Sequence, residues 1–226
     1  MINIVHNSDC LPAMREMDDN QYDLAIVDPP YGLGGGLQDI SPSFRKRDGR
    51  REYHKTKYSK LSGAGKLKNR ILNSDNCEWD KKQPTKEYFD ELFRISINQI
   101  ICGGNYFDLP PSRGFVVWDK MQPFPNFSRC EYLWISFQVP SKLFVHDNRT
   151  KGKIHPTQKP IEIYKYLLKN YAKEGDTILD THVGSGSSRI ACWEMGFDFT
   201  GYEIDKDYWE AQEKRFKIVK NQMRLF

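Results

Sequence analysis

The apolar run LAIV, residues 24–27, is followed at once by Asp28, Pro29 and Pro30, and this junction strongly limits what the chain can fold into. A short, continuous apolar run fits an interior strand that is covered on both faces. The prolines end that strand, because neither has an N–H for the sheet and the first restricts Asp28 to extended angles. The chain therefore leaves a buried strand at its carboxyl end, where open α/β sheets bind ligands.

A second junction of strand and turn lies near the carboxyl end of the chain. There the apolar Ile178 and Leu179 are followed by a loop at residues 180–187 and then by a helical pattern. This arrangement brings backbone N–H groups and a helix N-terminus close to a nucleotide-like ligand. The next strand, FDFTGYEID, ends in Glu203, nineteen positions beyond Gly184. There a carboxylate can accept hydrogen bonds from the ribose hydroxyls of an adenosyl group. The alternative is a plain turn followed by an exposed acid.

The loop also indicates which adenosyl ligand it suits. A dinucleotide fingerprint has a third glycine where this chain has Arg189, so a nicotinamide cofactor is disfavoured. Asp180, at the start of the loop, suits a ligand with an ammonium group, such as S-adenosylmethionine. The predicted donor-binding residues of this loop are Asp180, Gly184, Ser185, Gly186 and Ser187, together with Glu203.

Three motifs resemble those of the amino-group DNA methyltransferases, specifically the enzymes that methylate the exocyclic N6 of adenine. They are DPPY at residues 28–31, HPTQKP at 155–160 and D-x-x-x-G-S-G-S at 180–187. The resemblance covers residues 1–31 and 155 to about 215, and more loosely the strands between them. The catalytic motif precedes the donor motif, which is the permuted order called the beta class.

The resemblance implies an α/β fold, the Rossmann-like seven-stranded methyltransferase sheet, mostly parallel with one antiparallel strand and with helices on both faces. It places the strand that ends in Glu203 beside the N-terminal strand, so that Asp9 would hold the adenine amino group of the donor. The alternative for Asp9 is a helix N-cap before Leu11. Lys159 would face the carboxylate of the donor or would simply begin a helix.

The same resemblance gives DPPY a chemical role. The exocyclic nitrogen of adenine is a poor nucleophile, because its lone pair is delocalised into the ring. The Asp28 carboxylate and the Pro29 carbonyl are two acceptors for its hydrogens, and the two prolines, Pro29 and Pro30, keep them rigid. Tyr31 would stack on a base flipped out of the duplex.

Three alternatives to this function remain open. Methylation at N4 of cytosine uses the same amine chemistry, although that group tends to have Ser where this chain has Asp28. The second alternative is a non-catalytic subunit that binds donor and DNA, and the third is an RNA substrate. Methylation at carbon 5 of cytosine is not among them, because it needs a Pro-Cys nucleophile and the chain contains no Pro-Cys dipeptide.

Positive charge is concentrated between Arg45 and Arg70, where eleven Lys or Arg accompany only two acids, although the whole chain has a net charge of +4. Only some fifteen residues separate EYLWISF from HPTQKP, so a target-recognition region is not found there. The basic segment is therefore the predicted contact with double-stranded DNA, and a solvated loop is the alternative. Its candidate DNA-binding residues are Arg45, Lys46, Arg47, Arg50, Arg51, Lys55 and Lys57.

Length and composition set the remaining expectations. A chain of 226 residues is expected to form a single catalytic domain, residues 1–226, with a basic insertion at about 32–84. The five cysteines form no C-x-x-C pair, so no metal site is expected. The absence of a long apolar run or a basic-then-apolar amino terminus predicts a cytoplasmic protein. A homodimer or a partner specificity subunit is a further expectation.

Overall fold

The computed structural model describes residues 2–32, 43–45, 51–53, 78–122, 128–149 and 152–223. The strands in these ranges are β1 (Asn3–His6), β2 (Tyr22–Val27), β3 (Ser43–Arg45), β4 (Arg51–Tyr53), β5 (Ser96–Cys102), β6 (Phe115–Asp119), β7 (Cys130–Ile135), β8 (Lys142–Val145), β9 (Thr177–Asp180) and β10 (Asp198–Tyr202). The α-helices are α1 (Cys10–Arg15), α2 (Lys86–Ile95), α3 (Ile161–Tyr171), α4 (Ser187–Met195) and α5 (Lys206–Met223).

Eight strands form one sheet in the order β1-β10-β9-β2-β5-β7-β6-β8. Strand β7 runs antiparallel to both β5 and β6, and the other pairings are parallel. The predicted α/β methyltransferase-type sheet with one antiparallel strand is thereby confirmed. It has eight strands rather than the expected seven, because β8 extends the edge beside β6 with Val116 opposite Lys142. A separate antiparallel hairpin, β3 with β4, lies in the basic segment.

The connections of the sheet reverse direction between β2 and β9, which are direct neighbours. From β2 the chain passes through α2 to β5 on one side, whereas from β9 it passes through α4 to β10 on the other. Such a reversal leaves a crevice beyond the carboxyl ends of the two central strands. Asp28 directly follows β2 and Asp180 is the last residue of β9, so the two predicted motifs meet at this crevice.

Strand β2 is buried on both faces, as its apolar run predicts. Leu24 and Ile26 belong to the hydrophobic cluster on one side of the sheet, which also contains residues of α3 and α4. Ala25 and Val27 belong to the cluster on the other side, with residues of α1 and α2. Alternate side chains of one strand thus enter two cores, which holds the start of DPPY in a rigid frame.

The N-terminal strand lies where the resemblance placed it. Strand β1 pairs in parallel with β10 from Asn3 opposite Phe199 to His6 opposite Tyr202, so the loops that carry Asp9 and Glu203 follow neighbouring strands. Within the described ranges, no α-helix combines the length and the apolar character needed to span a bilayer.

Candidate active site

The crevice contains a cavity of about 820 Å³, within the usual range of small-molecule sites. Its wall combines the loop after β1, the end of β2, the HPTQKP segment, the loop after β9 and the loop after β10. The predicted site residues that line it are Asp9, Asp28, Pro30, Lys159, Gly184, Ser185 and Glu203. The lining does not include five other predicted site residues: Pro29, Tyr31, Asp180, Gly186 and Ser187.

Residues 180–187, called the donor loop below, are bonded to the acid that ends the next strand. Glu203 Oε2 accepts the Gly184 N–H at 2.8 Å, and Oε1 accepts the Asp205 N–H at 2.9 Å. Burial raises the pKa of Glu203 to about 7, although these two N–H groups oppose the shift. The carboxylate is thus fixed in orientation and keeps lone pairs for a ligand in the cavity.

Asp180 is almost completely buried and its oxygens are used by the donor loop itself. Oδ1 accepts the His182 N–H at 2.9 Å, and Oδ2 accepts the Ser188 hydroxyl at 2.6 Å. Burial raises the pKa of Asp180 to about 7. The structure therefore gives Asp180 a role in shaping the loop, and its predicted contact with an ammonium group stays a prediction.

Gly186 and Ser187 shape the end of the donor loop. Gly186 has φ +74°, in the left-handed region that glycine adopts without strain, and it caps α4. The Ser187 hydroxyl donates to the Lys159 carbonyl at 2.8 Å, which ties the loop to the HPTQKP segment. Arg215, from α5, donates to the Ser185 carbonyl at 2.7 Å. The HPTQKP segment, helix α5 and Glu203 thus all hold the donor loop in place.

Asp9 caps a helix, as one of the two alternatives from the sequence proposed, and it also faces the cavity, as the other alternative requires. Its carboxylate accepts the Leu11 N–H at 3.0 Å and caps α1, and the same residue lines the cavity. The cap orients the side chain, and a contact with the donor stays a prediction.

The HPTQKP segment covers the donor loop. The ring of His155 lies 4.3 Å from that of Tyr208, and its Nε2 is 3.5 Å from the position that a Cβ would take on Gly184. Burial, reinforced by the charge of Lys159, lowers the pKa of His155 to about 3, so the imidazole is neutral. A neutral aromatic ring therefore packs directly on the turn at Gly184.

Lys159 extends toward the end of β2. Its Nζ lies 2.5 Å from Asp28 Oδ2 and 2.7 Å from Glu131 Oε1, and its side chain is only 5% exposed. Burial raises the pKa of Asp28, and the Lys159 ammonium opposes this shift. The sequence left open whether Lys159 faces the carboxylate of the donor or begins a helix, and the structure places its ammonium between the carboxylates of Asp28 and Glu131. Its role toward the donor stays a prediction.

Glu131 was not found by sequence reasoning. It lies in β7, where Oε2 is 2.9 Å from Lys120 Nζ while Oε1 faces Lys159. The ammonium groups of Lys159 and Lys120 lower the pKa of Glu131 to about 2 against the opposing effect of burial. Asp28, Cys102 and Glu131 carry atoms close enough together to suggest a metal site. The Lys159 ammonium, however, already contacts both carboxylates. The only signal in the sequence is an acid at the start of an otherwise apolar strand.

Tyr31 lies beneath a second aromatic ring rather than open to the cavity. Its ring stacks on Tyr106 with the centroids 4.7 Å apart, and its hydroxyl lies 2.8 Å from Asp28 Oδ1 and 2.9 Å from Glu131 Oε1. Its backbone N–H donates to Asp80 at 3.0 Å. The side chain thus braces the Asp28 carboxylate, and its stacking on a base stays a prediction.

The structure describes only two of the candidate DNA-binding residues, and only their backbone. Arg45 and Arg51 face each other as backbone partners in the β3–β4 hairpin, and their side chains are outside the described atoms. Lys46, Arg47, Arg50, Lys55 and Lys57 lie outside the described residues.

Comparison with known proteins agrees with this geometry. The family model described as DNA methylase matches residues 116–214, which contain HPTQKP and the donor loop. The chain is a relative of the DNA methylases. The resemblance to amino-group DNA methyltransferases inferred from the motifs is thereby confirmed, and proteins of this family use S-adenosylmethionine as methyl donor. DPPY lies before the matched range.

Curated methyltransferases align with this chain along most of its length. The Type II methyltransferase M2.MboI of Moraxella bovis is 23% identical, with 97% of this chain and 91% of that protein aligned. The Type II methyltransferase M.HpaI of Haemophilus parainfluenzae is 25% identical, with 92% and 72% aligned.

Solved structures show the same fold. The M1.HpyAVI–SAM complex superposes with a TM-score of 0.57 at 18% identity, covering 95% of this chain and all of that one. The putative DNA modification methylase TTHA0409 from Thermus thermophilus, complexed with S-adenosyl-L-methionine, gives 0.53 at 16% identity, covering 96% and 94%. The cytosine-N4-specific PvuII DNA methyltransferase gives 0.56 at 12% identity, covering 96% and 91%. The fold is therefore shared with a cytosine-N4-specific DNA methyltransferase.

Proposed function

We propose that the protein transfers a methyl group from S-adenosylmethionine to the exocyclic N6 of adenine in double-stranded DNA. One observation carries the proposal: a single cavity is lined by Asp28 and Pro30 at one end and by Gly184 and Glu203 at the other. An amine acceptor and an adenosyl donor can meet only where both kinds of residue face one space.

The residues present fit the donor. A cavity of about 820 Å³ accommodates a nucleoside with an amino-acid side chain. Glu203, fixed by two backbone N–H groups, would accept the ribose hydroxyls, and Asp9 would accept the adenine amino group of the donor. When bound, S-adenosylmethionine supplies a methyl group on a positively charged sulfur, which needs no phosphate-binding site.

Asp28 supplies the chemistry at the other end. Its carboxylate accepts hydrogen bonds from the base amine, together with the Pro29 carbonyl, so that the nitrogen lone pair is directed at the methyl carbon. The N–C bond forms as the C–S bond breaks, the sulfur keeps the electron pair of that bond, and the nitrogen releases one proton to Asp28 or water. No covalent enzyme intermediate is needed.

The choice of adenine rests on Asp28. The enzymes that methylate N4 of cytosine tend to have Ser at the first position of this motif, whereas this chain has Asp28. The fold does not contribute to the choice, because the N4-specific PvuII enzyme also shares it, with a TM-score of 0.56.

The basic segment is proposed as the DNA contact, on the strength of its charge. Lys and Arg that neutralise phosphates release counterions, so affinity falls as salt rises. Neutralising Arg45, Lys46, Arg47, Arg50 and Arg51 together should weaken duplex binding and reduce its log–log salt slope, by about 0.9 for each phosphate that is no longer neutralised. The matched control neutralises five basic residues on α3 and α5, namely Lys165, Lys169, Lys214, Lys217 and Lys220. An unchanged slope in the basic-segment variant contradicts this part of the proposal.

The decisive experiment is nucleoside mass spectrometry after incubation with S-adenosylmethionine labelled in its methyl group. Unmethylated duplex DNA, single-stranded DNA and RNA are compared as acceptors. Labelled N6-methyladenine from duplex DNA is the expected product. Labelled N4-methylcytosine would correct the base, label in RNA would correct the acceptor, and donor binding without any labelled nucleoside would favour a non-catalytic subunit.

A further inference from the structure

The acceptor end of the cavity contains two carboxylates and one ammonium. Lys159 Nζ contacts Asp28 and Glu131 at 2.5 and 2.7 Å, and the side chains of the two acids are only 17% and 11% exposed. The three residues come from distant parts of the chain: the loop after β2, strand β7 and the HPTQKP segment. The proposed reaction uses only Asp28, so the function of Glu131 is unassigned.

This arrangement creates a conflict at Asp28. Its Oδ2 accepts from the Lys159 ammonium, and its Oδ1 accepts from the Tyr31 hydroxyl at 2.8 Å. Each oxygen keeps a second lone pair, but a base amine that uses it must share that oxygen with Lys159 or Tyr31 and so weakens one of their contacts with Asp28. An ammonium that leaves its partner inside a protein is strongly destabilised unless another acceptor is within reach.

Glu131 is that acceptor. Its Oε1 already contacts Lys159, and its Oε2 is held by Lys120 at 2.9 Å. The Tyr31 hydroxyl, 2.9 Å from Glu131 Oε1, can donate there instead of to Asp28. The Lys159 ammonium and the Tyr31 hydroxyl, which now donate to Asp28, can thus both donate to Glu131 instead.

We propose that Glu131 is a positioning residue that retains the Lys159 ammonium and the Tyr31 hydroxyl while Asp28 accepts the amine of the target base. The inference rests on the proposed function. Glu131 does not touch the base, and it acts by giving Lys159 a second partner.

The charges around Asp28 give the inference a measurable consequence. The negative charge of Glu131 raises the pKa of Asp28, and the positive charge of Lys159 lowers it. The described titratable groups that face this network are Tyr31, Tyr88, Cys102, Lys120, His155, Tyr164 and Asp180. Because all of them remain in place, single substitutions at Glu131 and Lys159 should move the titration of Asp28 in opposite directions.

The first test measures the pH at which methyl transfer falls to half on its acidic side. S-adenosylmethionine is kept at saturation, so that the titration of Glu203 does not limit donor binding. In Glu131→Gln this pH should decrease by about 1 unit, and in Lys159→Met it should increase by about 1 unit. The double variant should lie between them. A merely structural role would lower the rate in both single variants without moving the two pH values apart.

The second readout is the rate itself. In Glu131→Gln, Lys159 has only Asp28 as a charged partner, so transfer should slow at least about tenfold while donor affinity is unchanged. Adding Lys159→Met to this variant should cause no further loss, because the block acts through Lys159. The matched control is the ion pair of Lys165 and Glu194 on the surface of α3 and α4, where Lys165→Met and Glu194→Gln should change neither quantity.

A direct titration separates this inference from the proposed function. The carboxyl carbon signal of Asp28, identified by its loss in Asp28→Ala, is followed by NMR against pH in all variants. Opposite shifts show that Glu131 and Lys159 act on Asp28 in opposite directions even if the wild-type protein transfers no methyl group, a result that overturns only the proposed function. Shifts in the same direction, or none, overturn the inference even if the wild-type protein is active.

Discussion

The Gly184 N–H donates to Glu203 Oε2 at 2.8 Å, which joins the turn of the donor loop to the acid at the end of β10. The other oxygen of Glu203 accepts from Asp205. Two backbone N–H groups therefore fix the position of the Glu203 carboxylate, although the Glu203 side chain alone would be flexible. Preorganisation of this kind favours ligand binding, because little conformational entropy is lost when the ligand arrives.

Donor affinity is predicted to depend on the ionisation of Glu203. Its pKa is raised to about 7, so the carboxylate is charged above pH 7 and becomes protonated as the pH falls below that value. The charged form is the better acceptor for ribose hydroxyls, and affinity should decrease toward pH 6. Glu203→Gln should bind the donor about tenfold more weakly at pH 8 and reduce this dependence.

Calorimetric titration of S-adenosylmethionine between pH 6 and 8.5 checks this prediction. Glu210→Gln, an exposed change of the same type on α5, is the control and should behave like the wild type. If the two variants have equal affinity at pH 8, Glu203 does not bind the donor.

Asp28→Ala is predicted to separate catalysis from folding and donor binding. The variant loses the carboxylate acceptor, so methyl transfer should fall by a factor on the order of 10³ or more. Lys159 keeps Glu131 as a partner at 2.7 Å, so the buried ammonium is not left unpaired. Asp90→Ala, on the exposed face of α2, is the control. Substantial transfer by Asp28→Ala would remove the basis of the mechanism.

Gly103 is predicted to matter for catalysis because of the ring beside it. A Cβ on Gly103, at φ +66°, would lie 2.4 Å from Tyr31 Cε1, so an alanine there must displace the tyrosine that braces Asp28. Gly196 has φ +84° and open space around the same position. Both alanine variants should lose about 1 kcal/mol of stability from the left-handed backbone.

The comparison of the two glycine variants isolates the effect on Tyr31. Gly103→Ala should slow methyl transfer and leave donor affinity unchanged, whereas Gly196→Ala should leave both unchanged. The measurements are single-turnover transfer and donor titration, with thermal unfolding to match the stability loss. Equal transfer by both variants would mean that the orientation of Tyr31 is not needed.

Local patterns were sufficient to predict the central part of the fold. The LAIV run and its prolines identified β2, and the predicted strand in FDFTGYEID contains β10. Strand β8 was missed, because it is four residues long, half exposed and held only by its pairing with β6. Short edge strands carry little periodicity of their own.

The site was predictable only where one motif carries it. Asp28 and Glu203 stand at the ends of strands that can be recognised in the sequence, and the sheet brings them to one cavity. The contact of Lys159 with Glu131 depends on the antiparallel direction of β7 and on side-chain conformations that no local pattern encodes. The direction of the Tyr31 ring, toward Tyr106, likewise depends on tertiary packing.

Asp180 is predicted to make stability depend on pH. Its pKa is about 7 in the folded protein and near 4 in an unfolded chain, so between these values the folded state holds a proton that the unfolded state has released. The free energy of unfolding should therefore fall as the pH rises from about 4 to 7, with Asp180 contributing about 2–4 kcal/mol. Asp180→Asn cannot titrate, and it should remove this contribution.

The measurement for Asp180 is urea unfolding of both proteins at several pH values between 4.5 and 7.5. Glu203 titrates in the same range and the charge of Asp180 contributes to its raised pKa, so both proteins also carry Glu203→Gln. The lowered pKa values of His155 and His182 act in the opposite direction, but their contributions are common to both proteins and cancel in the difference. The variant should gain stability relative to the wild type as the pH rises. A difference that stays constant with pH would mean that the Asp180 carboxylate is stabilised in its charged form by the Ser188 hydroxyl and the His182 N–H.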